Sequence, residues 1–323
     1  MPDKKPLISI PILTYNGEKY LREQLDSIYA QTYKNIEVLA FDDGSTDHTV
    51  EILKEYHKSH GLKYTIHSKN LGFIKNAIFS LNACNGLYIA PADQDDIWKE
   101  KKLEVLMQSI GDSMMIYADS STMQEDGSKC TDHYFGAKCN LISGNTPLQF
   151  AFGNSISAHA MLFKRELVKK ALPIPSVIDY HDWWLAFTAC CLSDIKLYPE
   201  PLVYYRRHCQ QVTNYENKKN YTFFQRFTFR EHRLIKNREK ILHQLNAFQT
   251  FVHLDEKDKK LLLSIIQEMK DYKIHFFNKK LEKILQENAE ILFGVFKHSP
   301  KEQHKHIQRL SRGLWYYRLK LYT

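Results

Sequence analysis

The chain has 323 residues, 43% hydrophobic and 25% charged, which is enough apolar material for one large or two ordinary cores and excludes a disordered or fibrous chain. Its formal net charge of +8 is unevenly spread: residues 1–214 carry 22 basic and 25 acidic side chains, and residues 215–323 carry 23 and 12. A weakly acidic body ahead of a basic region argues against nucleic-acid binding by the body, and predicts chemistry in front with attachment to something anionic behind.

Six cysteines (Cys84, Cys130, Cys139, Cys190, Cys191, Cys209) form no CxxC pair and no zinc-spaced cluster with histidine, as expected of thiols in a reducing compartment. The longest uncharged run, Cys139–Phe163, is interrupted by Asn140, Gly144, Asn145, Pro147, Gly153 and Asn154, so it is not a membrane helix. Lys4 and Lys5 precede only a short apolar run with no small-residue cleavage site, and the simpler reading is a buried first strand rather than a signal peptide. The expectation is a cytoplasmic protein, or one attached only peripherally to the cytoplasmic face of the inner membrane.

Strand and helix signals alternate from the start. Leu7–Leu13 is an unbroken β-rich run, the pattern of a strand covered on both faces. It ends at Thr14-Tyr15-Asn16-Gly17, and Leu21, Leu25, Ile28 and Tyr29 then follow a helical period. Ile36–Phe41 predicts a second strand, closed by Asp42-Asp43-Gly44, and Val50, Leu53 and Tyr56 predict the next helix. A third strand at Tyr64–His67 turns through Asn70-Leu71-Gly72 into a helix with Ala77, Ile78 and Leu81. A fourth at Leu87–Pro91 ends in Asp93-Gln94-Asp95-Asp96. This βαβαβαβ order predicts a doubly wound, mostly parallel sheet. Beyond it the sequence predicts a helix at Leu103–Ile110, a strand at Met114–Tyr117, and a long polar loop to about residue 146. A short strand at Met161–Phe163, a helix over 181–192 and a last strand at Leu197–Arg207 follow. Helix prevails from about residue 219.

Ligands of such sheets bind at the carboxyl ends of the strands, and Thr14–Asn16, Asp42–Asp43 and Asp93–Asp96 each follow a predicted strand. If the last of these is extended, Asp93 and Asp95 point the same way and present two hard oxygen ligands, suited to Mg²⁺ or Mn²⁺ on a diphosphate. The alternative is an acidic helix N-terminus. At Asp42-Asp43 a carboxylate could accept the ring N–H of a pyrimidine base, or cap the following helix together with Ser45-Thr46-Asp47. His181-Asp182 could supply a general base, with Trp183 and Trp184 either facing a sugar ring or lying in the core. Tyr204-Tyr205-Arg206-Arg207-His208 could bind a diphosphate or a metal, or be an exposed basic strand end.

These segments resemble glycosyltransferase family 2. Pro11–Asn16 (PILTYN), Asp42–Thr49 (DDGSTDHT), Asn70–Gly72 (NLG), Asp93–Trp98 (DQDDIW), His181–Leu185 (HDWWL) and Tyr205–His208 (YRRH) stand in the family's order over roughly residues 6–210. DQDDIW with HDWWL is similar to its rhamnosyltransferase-like branch. The resemblance implies a GT-A fold over 1–214, with a nucleotide-sugar half to about residue 100 and an acceptor half after it, ahead of a basic helical region, 215–323. It implies an inverting transfer from a nucleotide-diphosphate sugar (dTDP-rhamnose or a UDP-sugar) to a hydroxyl of a growing bacterial surface glycan, free or lipid-linked, with Mg²⁺ or Mn²⁺.

Carried over by position, Pro11, Thr14, Tyr15, Asn16, Asp42, Asp43, Asn70, Gly72, Asp93, Gln94 and Arg207 would serve the nucleotide sugar. Asp93, Asp95 and His208 would hold the metal, and Asp182 would be the base. His181, Trp183, Trp184 and Asn154 would meet the acceptor. One departure concerns acceptor identity: Ala158 and His159 stand where this branch usually has Gly and a small residue.

Other readings fit less well. A nicotinamide oxidoreductase would need GxGxxG after the first strand, and none is present. A sugar-nucleotide-binding protein without catalysis stays the alternative. In the tail, a helix from Lys305 to Leu321 would gather Ile307, Leu310, Leu314, Tyr317 and Leu321 on one side, opposite Lys305, Arg309, Arg312 and Lys320. Such a helix could lie in an anionic membrane interface or pack on the protein.

Overall fold

The computed structural model describes residues 5–209, 211, 223–314 and 316, with backbone alone at 130, 131 and 223–232. The chain divides into two compact units. One takes in residues up to 145 with 155–174 and 178–209; the other holds 146–154, 175–177 and the chain from 210 on.

The first unit alternates β1 (Ile8–Thr14), α1 (Leu21–Tyr29), β2 (Ile36–Asp42), α2 (Thr49–His60), β3 (Lys63–Ile66), α3 (Phe73–Ala83) and β4 (Tyr88–Ile89), as the apolar periodicity predicts. Three further pieces make the turn-rich middle: β5 (Ala92–Asp93), β6 (Ile97–Trp98) and α4 (Lys102–Ile110). The unit then runs through β7 (Met115–Gln124), β8 (Lys129–Thr131), α5 (Tyr134–Lys138), β9 (Met161–Lys164), α6 (Glu166–Ala171), α7 (His181–Leu192) and β10 (Ile195–Arg207).

All strands join one sheet in the order β3-β2-β1-β4-β9-β7-β10-β6, with β5 also on β1 and β8 on β7. The β3-β2-β1-β4 part is parallel, β9 runs antiparallel between β4 and β7, and β10 is parallel to β7. This is the mostly parallel sheet, flanked by helices, of a GT-A fold. Ile8, Ile10 and Ile12 of β1 pack in the core with Leu21, Leu25 and Ile28 of α1 and Leu53 of α2. Burial on both sides explains why β1 reads as an uninterrupted apolar run.

Register sets up the site. Thr14 stands opposite Asp42, and Leu13 opposite Asp93, so three chain segments end in one row. Pro11 is buried in mid-strand beside the break between β4 and β5, where its missing N–H leaves no partner on that side wanting. β6 pairs antiparallel with Val203 and Tyr204, which carries the turn ahead of it to the end of β10. The strand expected at Met114–Tyr117 continues to Gln124, because Asp119, Ser120, Ser121 and Thr122 are buried polar residues rather than loop.

The second unit is helical: α8 (Phe223–Gln249), α9 (Glu256–Lys270), α10 (Lys279–Glu287), α11 (Ala289–Leu292) and α12 (Pro300–Ser311). Leu245, Phe248, Leu262, Ile265, Leu281, Leu285 and Phe293 fill its core. The helix expected from Lys305 to Leu321 stops at Ser311. Arg312 is extended and bridges to Phe277, and a Cβ on Gly313 would sit 1.7 Å from the His275 carbonyl oxygen, so the chain passes too close there for any other residue. Ile307, Leu310 and Leu314 are buried within this unit, so packing takes this part of the apolar stripe. Trp315 and residues 317–323, with Tyr317, Lys320 and Leu321 of the expected stripe, lie outside the described residues, as does the expected boundary at 214/215. Among the described residues no helix is long and apolar enough to cross a membrane.

Candidate active site

The row of strand ends is held by its own polar side chains. Asp42, fully buried, accepts from the Gly44 and Ser45 amides at 3.2 and 2.8 Å and from the Thr14 and Ser45 hydroxyls at 2.9 and 2.5 Å. A carboxylate accepts about four hydrogen bonds, so Asp42 is saturated and acts as a brace. Asp43 accepts from the Leu71 and Gly72 amides at 2.7 and 2.9 Å and keeps spare acceptor capacity. Asn70 accepts from the same Gly72 amide at 3.0 Å, and Gly72 takes φ +84°, which favours glycine. Asn16 bridges to the Asp42 turn by donating its amide to Ser45 Oγ and accepting from the Thr46 amide.

Gln94 pairs its carboxamide with the backbone of Tyr15, accepting at 2.9 Å and donating at 3.1 Å. It thereby staples the end of β1 to the acidic turn and leaves the Tyr15 ring, 48% exposed, beside the strand ends. A Cβ at Gly17 would lie 2.2 Å from Gln94 Oε1, so the staple depends on glycine there.

The acidic segment departs from the extended geometry expected of it. Asp93 ends β5, and Gln94-Asp95 form a turn, so the two carboxylates find different imidazoles. His159 Nδ1 lies 3.4 Å from Asp93 Oδ2 and 3.5 Å from Asp96 Oδ2. His208 Nε2 lies 2.7 Å from Asp95 Oδ2. Asp93, Asp96 and His159 offer three ligand atoms within 4.8 Å of one another. Burial works against ionising Asp93, but the His159 imidazole, with His181 and Lys102, outweighs it and holds the carboxyl below its usual range. Burial, and then the charges of Asp95 and Asp93, push Asp96 well above that range.

Two cations underlie this centre. Arg206, fully buried, donates its amide to Asp96 Oδ1, and its guanidinium donates to the Asp95 and Glu125 carbonyls and to Glu23. Lys102, also fully buried, donates Nζ to the His159 carbonyl at 2.6 Å and sits 3.2 Å from the centre of the Trp98 ring. Burial drives its pKa well below the usual lysine value, against the pull of Asp96 and Asp93.

At the start of α7, Asp182 accepts from the Trp183 amide at 2.6 Å. Burial raises its pKa to about 7; the Trp183 and Ala158 amides lower it and the charge of Asp93 raises it further. His181 is buried against Phe73, its Nδ1 has no hydrogen-bond partner among the described residues, and burial lowers its pKa to about 4 despite the Asp93 charge. Trp183 is half-buried. Trp184 does not face the site: it is 3% exposed and its indole N–H donates to the Ala171 carbonyl at 2.7 Å, so it is a core residue. Asn154 belongs to the second unit. Arg207 leaves β10 on the face opposite Arg206 and donates to the Tyr134 hydroxyl. Sequence reasoning missed Lys102 and Asp96 as members of the site and met His159 only as a departure; a lysine among Lys99 and Lys101 at a helix start gives no signal of burial.

The family described as "Glycosyl transferase family 2" matches residues 9–170. An uncharacterized glycosyltransferase of Haemophilus influenzae is 30% identical over 290 residues, covering 82% of this chain and 85% of its own length. The putative glycosyltransferase EpsH of Bacillus subtilis is 25% identical, over 66% of this chain and 64% of its own. Among solved structures, S. aureus TarS 1-349 in complex with UDP-GlcNAc has a TM-score of 0.59 at 18% identity, over 88% of this chain and 78% of that one, which is a likeness of fold. A match that spans half the chain and a relative that parallels most of it agree with the sheet and its strand ends: the chain belongs to glycosyl transferase family 2 and is a glycosyltransferase.

Proposed function

We propose that the protein moves a sugar from a nucleotide-diphosphate donor, a UDP-sugar or dTDP-rhamnose, to a hydroxyl of a growing bacterial surface glycan, with inversion at the anomeric carbon. The observation that carries this reading is the pairing of a raised carboxyl, Asp182, with the Asp93–Asp96–His159 group at the ends of parallel strands. A base must be unprotonated near the working pH, and a pKa of about 7 keeps a useful fraction so while leaving it basic enough to take a hydroxyl proton.

The residues fit a divalent cation. Asp96 Oδ2 is buried without a hydrogen-bond partner among the described residues, and hard carboxylate oxygens with imidazole suit Mg²⁺ or Mn²⁺. Asp93, Asp96 and His159, whose ligand atoms lie within 4.8 Å of one another, would hold the ion together with Asp95 and its partner His208. When bound, it supplies the positive charge that offsets the departing diphosphate. Asp43, with acceptor capacity to spare, receives the ring N–H of a pyrimidine base, and the exposed Tyr15 ring covers the base. Asp182 takes the proton of the attacking hydroxyl, and His181 and Trp183 border the acceptor. The net +11 of residues 215–323 favours the cytoplasmic face of the inner membrane, through cations rather than through the buried 307–314 stripe.

The test is a panel of UDP-, dTDP- and GDP-sugars incubated with Mn²⁺ or Mg²⁺, with released nucleotide diphosphate as the readout. Metal-dependent release from a UDP- or dTDP-sugar supports the reading. Release from none of them, or release indifferent to chelation, overturns it.

A further inference from the structure

We infer that the acceptor carries an anionic group, a phosphate or a sugar carboxylate, received by Arg207 and Lys138; this rests on the sugar-transfer reading above. The two cations sit on one ring. Lys138 Nζ lies 3.7 Å from the centre of the Tyr134 ring, and the Arg207 guanidinium lies 5.6 Å from it while donating to the Tyr134 hydroxyl. Both side chains are exposed, and neither has a carboxylate within ion-pair distance among the described residues. In a unit whose centre is rich in aspartate, cations would be expected to collapse onto a carboxylate. Here an aromatic ring holds them apart from one, as a fixed pair of donors facing solvent.

Their place relative to the centre points to the acceptor rather than the donor. Tyr205 stacks on His159 with ring centres 5.1 Å apart and touches Tyr134 at 5.3 Å, so the rings of His159, Tyr205 and Tyr134 lead from Asp93 to the cation pair. His159 adjoins Ala158, whose amide helps set the pKa of Asp182, the group proposed to take the acceptor's proton. Arg207 also alternates with Arg206 along β10, and donates to the Tyr134 hydroxyl while Arg206 donates to the Asp95 carbonyl. Phosphate and carboxylate are the planar or tetrahedral oxyanions that a guanidinium and an ammonium recognise together.

The test measures binding of glycerol 3-phosphate and methyl β-D-glucuronide, with glycerol and methyl β-D-glucoside as neutral counterparts, by NMR titration of the full chain with and without UDP and Mn²⁺. At least one anionic probe should bind about tenfold more tightly than its neutral counterpart. The Arg207→Gln/Lys138→Gln variant should lose that preference while its UDP affinity changes less than about twofold, and UDP should not displace the probe. Which probe is preferred assigns the anion as phosphate or carboxylate. Equal binding of charged and neutral probes overturns the inference. So does displacement of the probe by UDP, or loss of UDP affinity in the variant, either of which gives the cations to the donor's diphosphate. Failure of the wild type to bind UDP at all speaks against the sugar-transfer reading instead, because the probe preference is measured without nucleotide.

Discussion

Replacing Asp182 by asparagine separates a base from a helix cap. The amide keeps the size of the carboxyl and an oxygen that can accept from the Trp183 amide, but it cannot take a proton. With a folded pKa of about 7, roughly a tenth of Asp182 is ionised at pH 6 and about nine-tenths at pH 8. Hydrolysis of the nucleotide sugar, read as kcat/KM for the donor, should therefore rise about fivefold from pH 6 to 7 and about tenfold by pH 8, where it levels off. In Asp182→Asn it should fall by ~10²–10⁴-fold and lose that rise. The same group makes an opposite statement about stability. Between the usual value of 3.8 and about 7 the folded protein holds a proton that the unfolded chain releases, so stability falls as pH rises through that window. At ~1.36 kcal/mol per pH unit the ceiling is about 4 kcal/mol, and the half-buried side chain's contact with solvent reduces it to roughly 1–2 kcal/mol. Asp182→Asn should thus be inactive yet more stable than the wild type at pH 8, by urea denaturation. A variant that is less stable at pH 8 and still turns over would mark Asp182 as a cap and refute the reasoning.

Two further substitutions test the supports of the centre. Gly17→Ala puts a methyl where Gln94 Oε1 stands, so Gln94 must release both of its bonds to Tyr15; a loss of about 1–2 kcal/mol in urea denaturation is expected, with weaker UDP binding, and unchanged values for both would show the staple to be idle. Arg206→Met strips the Asp95 and Glu125 carbonyls of a buried donor and should cost about 3 kcal/mol; a change under about 1 kcal/mol would mean the turn is held by β6 alone.

The fold was legible where burial is simple. β1, β2 and α7 read correctly because continuous apolar runs and a clean helical stretch left one interpretation each, and the polar clusters after the strands marked the carboxyl edge. The far half of β7 was not legible, since Asp119-Ser120-Ser121-Thr122 has the composition of a loop and is strand only because the neighbouring strands and α5 bury it: Asp119 accepts from the Phe135 and Gly136 amides at 2.9 Å each. The site was half legible. Asp95 and His208 were brought together by the family resemblance, whereas the grouping of Asp93 with Asp96 and His159 depends on a turn at Gln94-Asp95 that the Gln94–Tyr15 pairing and Arg206 hold. Lys102 and Arg206 could not be recognised as interior, because nothing local distinguishes a buried cation from one in water.

The central claim, that these carboxylates bind a nucleotide diphosphate through a divalent ion, is tested most directly by thermal unfolding with UDP or dTDP, each with Mn²⁺ and with chelator, in the wild type and in Asp95→Ala. Stabilisation of about 2.7 kcal/mol is expected at a hundredfold excess of nucleotide over its Kd, only with the ion and only in the wild type. Stabilisation that persists with chelator, or that Asp95→Ala retains in full, would contradict it.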